Sequence, residues 1–242
     1  NLNRPFLYCN KETQMIEVKE VTKRFGKKTV LDGVTFSANA GEVTGLIGAN
    51  GSGKTTLMRI ISGIYKPDSG ASYVCGLNSA TDTQAVRSRL GVMLGGDVSL
   101  YERFTAYENI EYFARLYGMS RTESYESIIK LSAIFKMDDY LYRRTEGFSR
   151  GMRQRVAFAR SIVHNPEVIL LDEPSTGLDI YSIGDVKGFI MSCKNAGKTI
   201  LLSTHNIDEM QTLCDKLIII DSGHKIGEGR HKAMIGGEQN AR

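Results

Sequence analysis

Apolar and polar side chains alternate near the start of the chain in the pattern of half-buried β-strands. The alternation covers residues 15–21 and returns over residues 29–36, after a glycine-containing turn at residues 25–28. Two such segments joined by a short turn favour antiparallel pairing. The pattern therefore predicts an antiparallel β layer, which a further β segment at residues 69–76 extends.

Short continuous apolar runs form a second group of strands, which are expected to be buried on both faces. They occupy residues 42–47, 91–94, 168–171, 199–203 and 217–221. Apolar residues at helical spacing lie between them, at residues 56–63, 83–90, 180–195 and 207–214. Strands that alternate with helices predict a mostly parallel, doubly wound α/β sheet.

The middle of the chain has helical spacing only. It covers residues 107–117, 122–135 and 153–163, interrupted by Gly118 and Gly147. We expect a helical subdomain at about residues 98–164, inserted into an α/β core made of residues 15–94 and 165–230. Residues 15–242 then form a single domain, and the polar residues 1–14 form an extension.

Residues 48–55 carry the most specific motif of the chain. They read G-A-N-G-S-G-K-T and match the phosphate loop G-x-x-x-x-G-K-[ST], with an apolar strand before it and a helix after it. In such a loop, backbone N–H groups and a helix N-terminus surround a phosphate. Lys54 should reach the β- and γ-phosphates, and the Thr55 hydroxyl should hold Mg²⁺. The alternative is a plain glycine turn between strand and helix.

Ionisable residues follow two of the predicted buried strands. Asp172 and Glu173 end the strand at residues 168–171, and His205 follows the strand at residues 199–203. Ligands of parallel sheets bind beyond the carboxyl ends of the strands. Asp172 suits the Mg²⁺ shell, Glu173 suits the base for an attacking water, and His205 suits a bond to the γ-phosphate or to Glu173. The alternative is a solvated acidic pair and a surface histidine.

Two further segments fit a nucleotide less specifically. Residues 148–155 read F-S-R-G-M-R-Q-R, a turn that enters a helix whose first N–H groups could bind an anion. One chain needs only one phosphate-binding loop for its own nucleotide, so a second phosphate-binding segment is expected to bind a nucleotide held by another subunit. The alternative is an ordinary helix cap. Phe25, 23 residues before Gly48, could stack on an adenine or could simply pack in its turn.

Composition narrows the class of partner. The chain is 41% hydrophobic and 24% charged, as in globular proteins, and its net charge of +4 is spread along the sequence. A direct nucleic-acid partner therefore gains little support. The four cysteines form no C-x-x-C pair, which is typical of reduced thiols in the cytosol. No apolar run approaches the ~20 residues of a membrane span, so we expect no transmembrane segment and a membrane role only through a partner.

In their order, these motifs resemble the nucleotide-binding subunit of an ATP-binding-cassette (ABC) transporter over residues 15–229. The resemblance implies the ABC-type fold of phosphate-loop NTPases, with a mostly parallel core, an antiparallel β layer and a helical subdomain. It implies an ATPase with ATP and Mg²⁺ as cofactors. It also implies a dimer around two Mg-ATP, a homodimer unless the partner is a paralogue. Such a dimer drives a membrane permease, which places the subunit in the cytoplasm at the inner face of the cell membrane.

The resemblance also implies site residues. Catalytic roles fall on Lys54, Glu173 and His205, and Mg²⁺ ligation on Thr55 and Asp172. The family's D-loop falls on residues 175–179, which read S-T-G-L-D. Nucleotide contacts fall on a longer set, which includes the D-loop aspartate: Phe25, Gly48, Asn50, Gly51, Ser52, Gly53, Lys54, Thr55, Thr56, Ser149, Gly151 and Asp179.

Two motifs depart from the family pattern. The signature L-S-G-G-Q falls on residues 148–152, where Arg150 and Met152 differ from it. The family's Q-loop glutamine is replaced by Gly95, and Asp97 either substitutes for it or is a solvated loop residue. The glycine pair Gly95-Gly96, together with residues 100–105, resembles an export-type branch related to bacterial sodium-efflux pumps.

Two other classes of phosphate-loop protein are rivals. A soluble ABC ATPase in DNA repair or translation would usually carry two cassettes or a long coiled-coil insert, and this chain has neither. A phosphate-loop kinase would need neither the signature nor the D-loop.

Overall fold

The computed structural model describes residues 13–95, 99–178 and 180–230, without the side chains of residues 180–182. The strands are β1 (Gln14–Phe25), β2 (Lys28–Asn39), β3 (Val43–Ile47), β4 (Ser69–Val74), β5 (Leu77–Asn78), β6 (Leu90–Met93), β7 (Val168–Asp172), β8 (Thr199–Thr204), β9 (Lys216–Asp221) and β10 (His224–Arg230). The helices are α1 (Lys54–Ile61), α2 (Thr83–Arg87), α3 (Ala106–Leu116), α4 (Arg121–Phe135), α5 (Arg150–Ile162), α6 (Ile180–Asn195) and α7 (Ile207–Leu213).

The predicted antiparallel layer is a four-stranded sheet in the order β2-β1-β4-β5. Strand β1 pairs with β2 across the turn after Phe25 and with β4 on its other edge, both antiparallel. Bulges interrupt both pairings, for example between Lys19 and Thr22 opposite β4. The alternating positions Ile16, Val18 and Val21 are buried, as the period-two pattern predicts.

The predicted parallel core is a six-stranded sheet in the order β10-β9-β3-β8-β7-β6. Strands β9, β3, β8, β7 and β6 are parallel, and β10 pairs antiparallel with β9 at one edge. Strand β3, which leads into the phosphate loop, therefore lies between β9 and β8. Its carboxyl end and those of β7 and β8 meet at one edge of the sheet, where ligands of such sheets bind.

The six-stranded sheet separates two apolar cores, because alternate residues of each buried strand point to opposite faces. Leu46, Leu170 and Leu201 face a core that α1 and the antiparallel sheet cover. Val43, Leu171 and Leu202 face the other core, with residues of α3 to α6. The predicted mostly parallel core with an antiparallel β layer is thus confirmed.

The helical insert consists of α3, α4 and α5. Helices α3 and α4 begin with capping boxes, in which Thr105 and Ser120 accept from the backbone and Glu108 and Glu123 reach back. Helix α5 begins at Arg150, three residues before the predicted start. Strands β5 and β10 were not predicted, since one is two residues long and the other, at residues 224–230, alternates glycine and charge. No helix in the described ranges is both long and apolar enough to cross a bilayer.

Candidate functional site

The phosphate loop joins the buried strand β3 to α1, and two of its glycines lie where no side chain fits. A Cβ at Gly48 would lie 2.1 Å from the carbonyl oxygen of Ile220. Gly53 has a φ of 110°, and a Cβ there would lie 2.7 Å from Leu31 Cδ2 and 2.9 Å from the carbonyl oxygen of Val30. Because a backbone carbonyl oxygen is an obstacle at both positions, the path of the loop depends on glycine there.

Several residues in the middle of this loop and at the start of α1 have polar groups that could contact a ligand. Gly51 has a φ of 81° and open space beside it, and Asn50 is exposed. The Ser52 hydroxyl is buried and has no hydrogen-bond partner in the described part of the chain. Thr56 is half-buried in the first turn of α1. An orphan hydroxyl beside a helix N-terminus fits a phosphate oxygen, so the residues present match the nucleotide that the motif predicts.

Lys54 lies inside the loop. Its side chain is buried, and Nζ donates to the carbonyl oxygens of Gly48 and Ala49, at 2.7 and 3.0 Å. The partners are neutral, so the positive charge is held but not cancelled. The loop therefore combines N–H groups with a fixed cation, as binding of a polyphosphate requires.

Asp172, at the end of β7, meets the phosphate loop directly. Thr55 Oγ1 donates to its Oδ2 at 2.7 Å, across 117 residues of sequence, and the Ser203 hydroxyl bonds to its Oδ1. Asp172 is buried, so the two hydroxyl groups replace water around the carboxylate. Paired hydroxyl and carboxylate oxygens are the hard donors that Mg²⁺ prefers. The donor set of Thr55 and Asp172 thus fits Mg²⁺.

Glu173 follows Asp172 in a left-handed conformation with a φ of 50°. Its N–H group donates to the Ser203 carbonyl and hydroxyl oxygens, both at 3.1 Å. His205 Nδ1 lies 3.4 Å from Glu173 Oε1, and the Thr176 hydroxyl donates to Oε2 at 3.1 Å. The structure therefore brings Glu173 and His205 together, and strained backbone of this kind is typical of functional positions.

The N-terminus of α5 carries Ser149 and Gly151. Ser149 is exposed and caps the helix, with Oγ accepting from the Met152 N–H group at 3.2 Å. Since the bond uses only an acceptor lone pair, the hydroxyl proton stays available to a ligand. No acidic residue lies in the first turn of α5. This end of the helix can therefore attract an anion.

Phe25 ends β1 with 46% of its surface exposed. Its ring packs edge-to-face against Tyr65 at 5.6 Å between centroids, and Lys23 Nζ lies 5.5 Å from its centroid. Tyr65 follows α1, the helix that the phosphate loop opens. The free face of Phe25 is therefore available for stacking, and Tyr65 is a supporting aromatic that the sequence reasoning missed.

Two predicted positions lie outside the described residues, namely Asp179 of the D-loop and Asp97 of the loop that lacks glutamine. Gly95 is described, and its φ of 72° with open space around it requires glycine for conformation rather than for room. The glutamine side chain that the family places after β6 is therefore absent at this position of the chain.

Sequence reasoning also missed Gln154, a buried residue of α5. Its Nε2 donates to the Pro174 carbonyl oxygen at 2.8 Å and approaches Met93 Sδ at 3.8 Å. No sequence pattern indicated this contact, because the bond goes to a backbone carbonyl oxygen. Ser203, which bonds to Asp172, gave no signal beyond its place at the end of an apolar strand.

A cleft of about 230 Å³ lies between α5 and the loops after β6 and β7. It is lined by both acidic residues and by two arginines, among other groups: Met93, Gly95, Arg150, Arg160, Asp172 and Glu173. Burial lowers the pKa of the Arg160 guanidinium from its ordinary value. Its Nη1 donates to the Ser99 carbonyl oxygen at 3.0 Å, and it lies over the Phe113 ring. Glu173 therefore lines an open cleft that also contains charged side chains.

Comparison with known sequences gives matches along most of the chain. Residues 31–176 match the family described as ABC transporter. The chain is 44% identical over 230 residues to the ABC transporter ATP-binding protein NatA of Bacillus subtilis, covering 93% of this chain and 94% of NatA. It is 38% identical to the Nod factor export ATP-binding protein I of Paraburkholderia xenovorans, covering 92% of this chain and 73% of the relative.

Solved structures give the same result. The chain superposes on the ATP-binding subunit of an ABC transporter with a TM-score of 0.84 and 29% identity, covering 93% of both chains. It also superposes on a dimeric ATP-binding cassette in a post-hydrolysis state with ADP and Pi, with a TM-score of 0.80 and 26% identity. That match covers 90% of this chain and 99% of the cassette.

Proposed function

The chain belongs to the ABC transporter family as an ATP-binding subunit, and we propose that it forms a dimer around two Mg-ATP molecules to drive export through a separate membrane permease. Cassettes of this family are ATPases that act on a permease. The observation that carries the proposal is the bond between Thr55 and Asp172. It joins the phosphate loop to the carboxyl edge of β7, so that both halves of a nucleotide site meet.

The nucleotide binds along the phosphate loop in this proposal. Support comes from the orphan Ser52 hydroxyl and from the loop glycines that leave room for the phosphates. Lys54 offsets the charge of the β- and γ-phosphates, and the exposed face of Phe25 stacks on the adenine. Thr55 and Asp172 hold Mg²⁺, which supplies further charge neutralisation when bound.

Glu173 is the proposed base, since it orients the attacking water and accepts its proton. His205 assists because its ring nitrogen lies 3.4 Å from the Glu173 carboxylate and can bridge it to the γ-phosphate. The open cleft beside Glu173 gives water access to that side chain. Hydrolysis then depends on positioning and charge rather than on a covalent intermediate.

Ser149, Gly151 and Asp179 are proposed to serve the ATP of the partner subunit. The exposed cap of α5 supports this assignment for Ser149 and Gly151, because one subunit needs only one phosphate loop for its own ATP. Closure of the dimer around two ATP molecules would complete each site. A homodimer is the simplest assembly, and a paralogous partner with the same motifs would satisfy the same contacts.

The direction of transport is proposed from relatives rather than from the site. One group of relatives is described as Nod factor export ATP-binding proteins, and the glycine pair at residues 95–96 with residues 100–105 resembles an export-type branch. The transported substrate of this chain need not be theirs. A subunit that couples to a permease would work at the cytoplasmic face of the cell membrane. Recovery of a multi-span protein with the tagged chain from native membranes tests this partner.

Replacement of the proposed base tests the ATP sandwich. Glu173→Gln keeps the shape of the side chain but cannot accept a proton, so hydrolysis should fall about a hundredfold or more. The variant should then accumulate a dimer that appears only with ATP, measured by size-exclusion chromatography with light scattering. Glu173→Gln combined with Lys54→Ala is the control and should stay monomeric. A Glu173→Gln chain that elutes identically with and without ATP contradicts the proposal.

A further inference from the structure

Helix α5 holds the loop after β7 of its own subunit at two points. Gln154 Nε2 donates to the Pro174 carbonyl oxygen at 2.8 Å, and Arg150 Nη2 donates to the Thr176 carbonyl oxygen at 2.7 Å. The two donors are four residues apart and therefore lie on one face of the helix. One face of α5 thus clamps the segment that directly follows Glu173.

The Arg150 contact includes packing as well as a hydrogen bond. Gly177 has a φ of 71°, and a Cβ built there would lie 2.3 Å from Arg150 Nη1. The guanidinium therefore occupies the space that a side chain at position 177 would fill. Arg150 stands where the family signature has a glycine, which has no side chain and could make neither contact.

A second step leads from Thr176 to Glu173. The Thr176 N–H group donates to the Glu173 carbonyl oxygen at 3.2 Å, and the Thr176 hydroxyl donates to Glu173 Oε2 at 3.1 Å. Arg150 thus holds the carbonyl group of Thr176, and the N–H and hydroxyl groups of Thr176 bond to Glu173. Thr176 is exposed, so without Arg150 its carbonyl group would face water and its backbone would be less restrained.

We infer that Arg150 is a positioning residue that holds Glu173 of its own subunit through Thr176. This inference rests on the proposed function, in which Glu173 is the base and Ser149 serves the partner's ATP. Ser149 and Arg150 are adjacent, so one helix end would sense the nucleotide of one site and orient the base of the other. The glycine of the family signature would lack this link.

The first test needs no dimer and no nucleotide. In the monomer, Arg150→Ala should raise amide hydrogen exchange of residues 176–178 about tenfold, as loss of a local restraint would. Arg121→Ala is the matched control, because Arg121 is also the first residue of a helix after a serine cap and does not line the cleft. Equal exchange in residues 176–178 of wild type and Arg150→Ala would overturn the link.

Steady-state kinetics test the effect on the base. Arg150→Ala should lower kcat about tenfold and leave KM for ATP within about twofold, because one orienting bond to the catalytic loop is lost. Arg150→Lys, which keeps one donor, should recover part of kcat. Thr176→Val removes the hydroxyl and should lower kcat similarly, whereas Thr176→Ser should not. The Arg150→Ala and Thr176→Val losses should not add in the double variant; fully additive losses would refute a shared path.

Mixed dimers decide which subunit's base Arg150 serves. In a dimer of Arg150→Ala with Glu173→Gln, the only intact base lies beside the altered Arg150, so turnover should fall about tenfold below that of wild type with Glu173→Gln. In a dimer of wild type with a chain carrying both changes, turnover should match that reference. The opposite result would mean that Arg150 acts on the partner's site. A Glu173→Gln chain that fails to dimerise with ATP, in contrast, refutes the proposed function before Arg150 is changed.

Discussion

Two helix N-termini of the molecule are proposed to bind phosphate, and they are built differently. At α1, Lys54 is buried, Gly48 packs against the backbone of β9, and Thr55 bonds to Asp172 on another strand. At α5, Ser149 is exposed, and its cap bond is to Met152, three residues away. The Thr55 hydroxyl at the first end bonds to a residue distant in sequence, whereas the Ser149 hydroxyl at the second end bonds within its own helix turn. This difference is what the proposed function expects, in which the loop before α1 binds the subunit's own ATP and the cap of α5 binds the partner's ATP.

The position of each helix in the fold explains the difference. Strand β3 lies between β9 and β8 in the parallel sheet, so the loop after it is surrounded by backbone on both sides. Helix α5 belongs to the insert, and its Gln154 contacts Met93 of β6 and Pro174 of the loop after β7. A rigid loop suits the chemistry of phosphate, and a cap on a separate helical layer suits contact that forms only on closure.

The largest predicted effect concerns which subunit's ATP the N-terminus of α5 binds. If both helix ends of one subunit bound the same ATP, the contrast between them would have no functional meaning. Lys54→Ala and Ser149→Arg should each abolish hydrolysis as homodimers, because one loses the phosphate cation and the other places a large side chain at the cap. A mixed dimer of the two single variants should regain activity, since one of its sites carries both lesions and the other carries none. ATPase assays on doubly tagged, purified dimers measure this.

The reciprocal dimer is the control for that experiment. Wild type paired with a chain that carries both changes has one lesion at each site if the sites are shared between subunits, so it should be inactive. If each site were built within one subunit, the activities of the two mixed dimers would be exchanged. Mixed dimers therefore distinguish the two arrangements without reference to any structure.

Alanine substitution of two loop glycines should distinguish the cost of a steric clash from the cost of a positive φ. Gly48→Ala forces a Cβ to within 2.1 Å of the Ile220 carbonyl oxygen and should cost about 3 kcal/mol or more in stability, with loss of ATP binding. Gly51→Ala meets open space, so only its positive φ opposes it, at about 1 kcal/mol. Chemical denaturation measures both changes. Equal costs would mean that close packing does not define the loop.

The loop was predictable from sequence, because its glycines, lysine and threonine are adjacent in the chain and their spacing is itself the signal. The approach of Asp172 also followed, since parallel strands end at one edge of a sheet. The two apolar cores followed from the period-two and continuous strand patterns. The ABC-type fold and the ATP-binding role expected from the resemblance are confirmed, and the roles of individual residues stay predictions.

The contacts of Arg150 could not be predicted in the same way. Its partner Thr176 lies 26 residues away, and the bond goes to a carbonyl oxygen that every residue carries. Gln154 was missed for the same reason. Strand β10 was missed because its glycines and charged residues, at an edge of the sheet, carry no apolar pattern. Sequence patterns report buried surfaces and motifs, whereas a side chain that bonds to backbone leaves little trace in them.

Removal of two similar helix caps should distinguish a role in catalysis from a role in stability. Ser149→Ala and Ser120→Ala each remove a side-chain cap and should each cost about 1 kcal/mol in stability. Only Ser149→Ala should also lower ATP hydrolysis, by up to about a hundredfold, because only that hydroxyl is proposed to donate to a phosphate in the transition state. Thermal unfolding and ATPase assays on the two variants provide the measurement. An equal loss of hydrolysis in Ser120→Ala would assign the effect to stability alone.

His164, just after the end of α5, supplies a prediction that depends on pH. Burial, helped by the charge of Lys198, lowers the pKa of His164 to about 4. The neutral ring stacks on Tyr117, and Nε2 donates to the Leu90 carbonyl oxygen at 3.0 Å, while Nδ1 is buried without a partner in the described residues.

Because the pKa of His164 is lower in the folded chain than the ordinary value of 6.5, protonation favours the unfolded chain. The stabilisation is complete above about pH 6.5 and is lost as the pH falls towards 4, with about 2 kcal/mol lost by pH 5. His164→Gln keeps a donor for Leu90 and takes up no proton, so its stability should fall less between pH 7 and pH 5. His224→Gln, at an exposed position, is the control for replacing a histidine by glutamine. Urea unfolding at both pH values measures the difference, and parallel pH dependence in wild type and His164→Gln would show that α5 is anchored by contacts other than this ring.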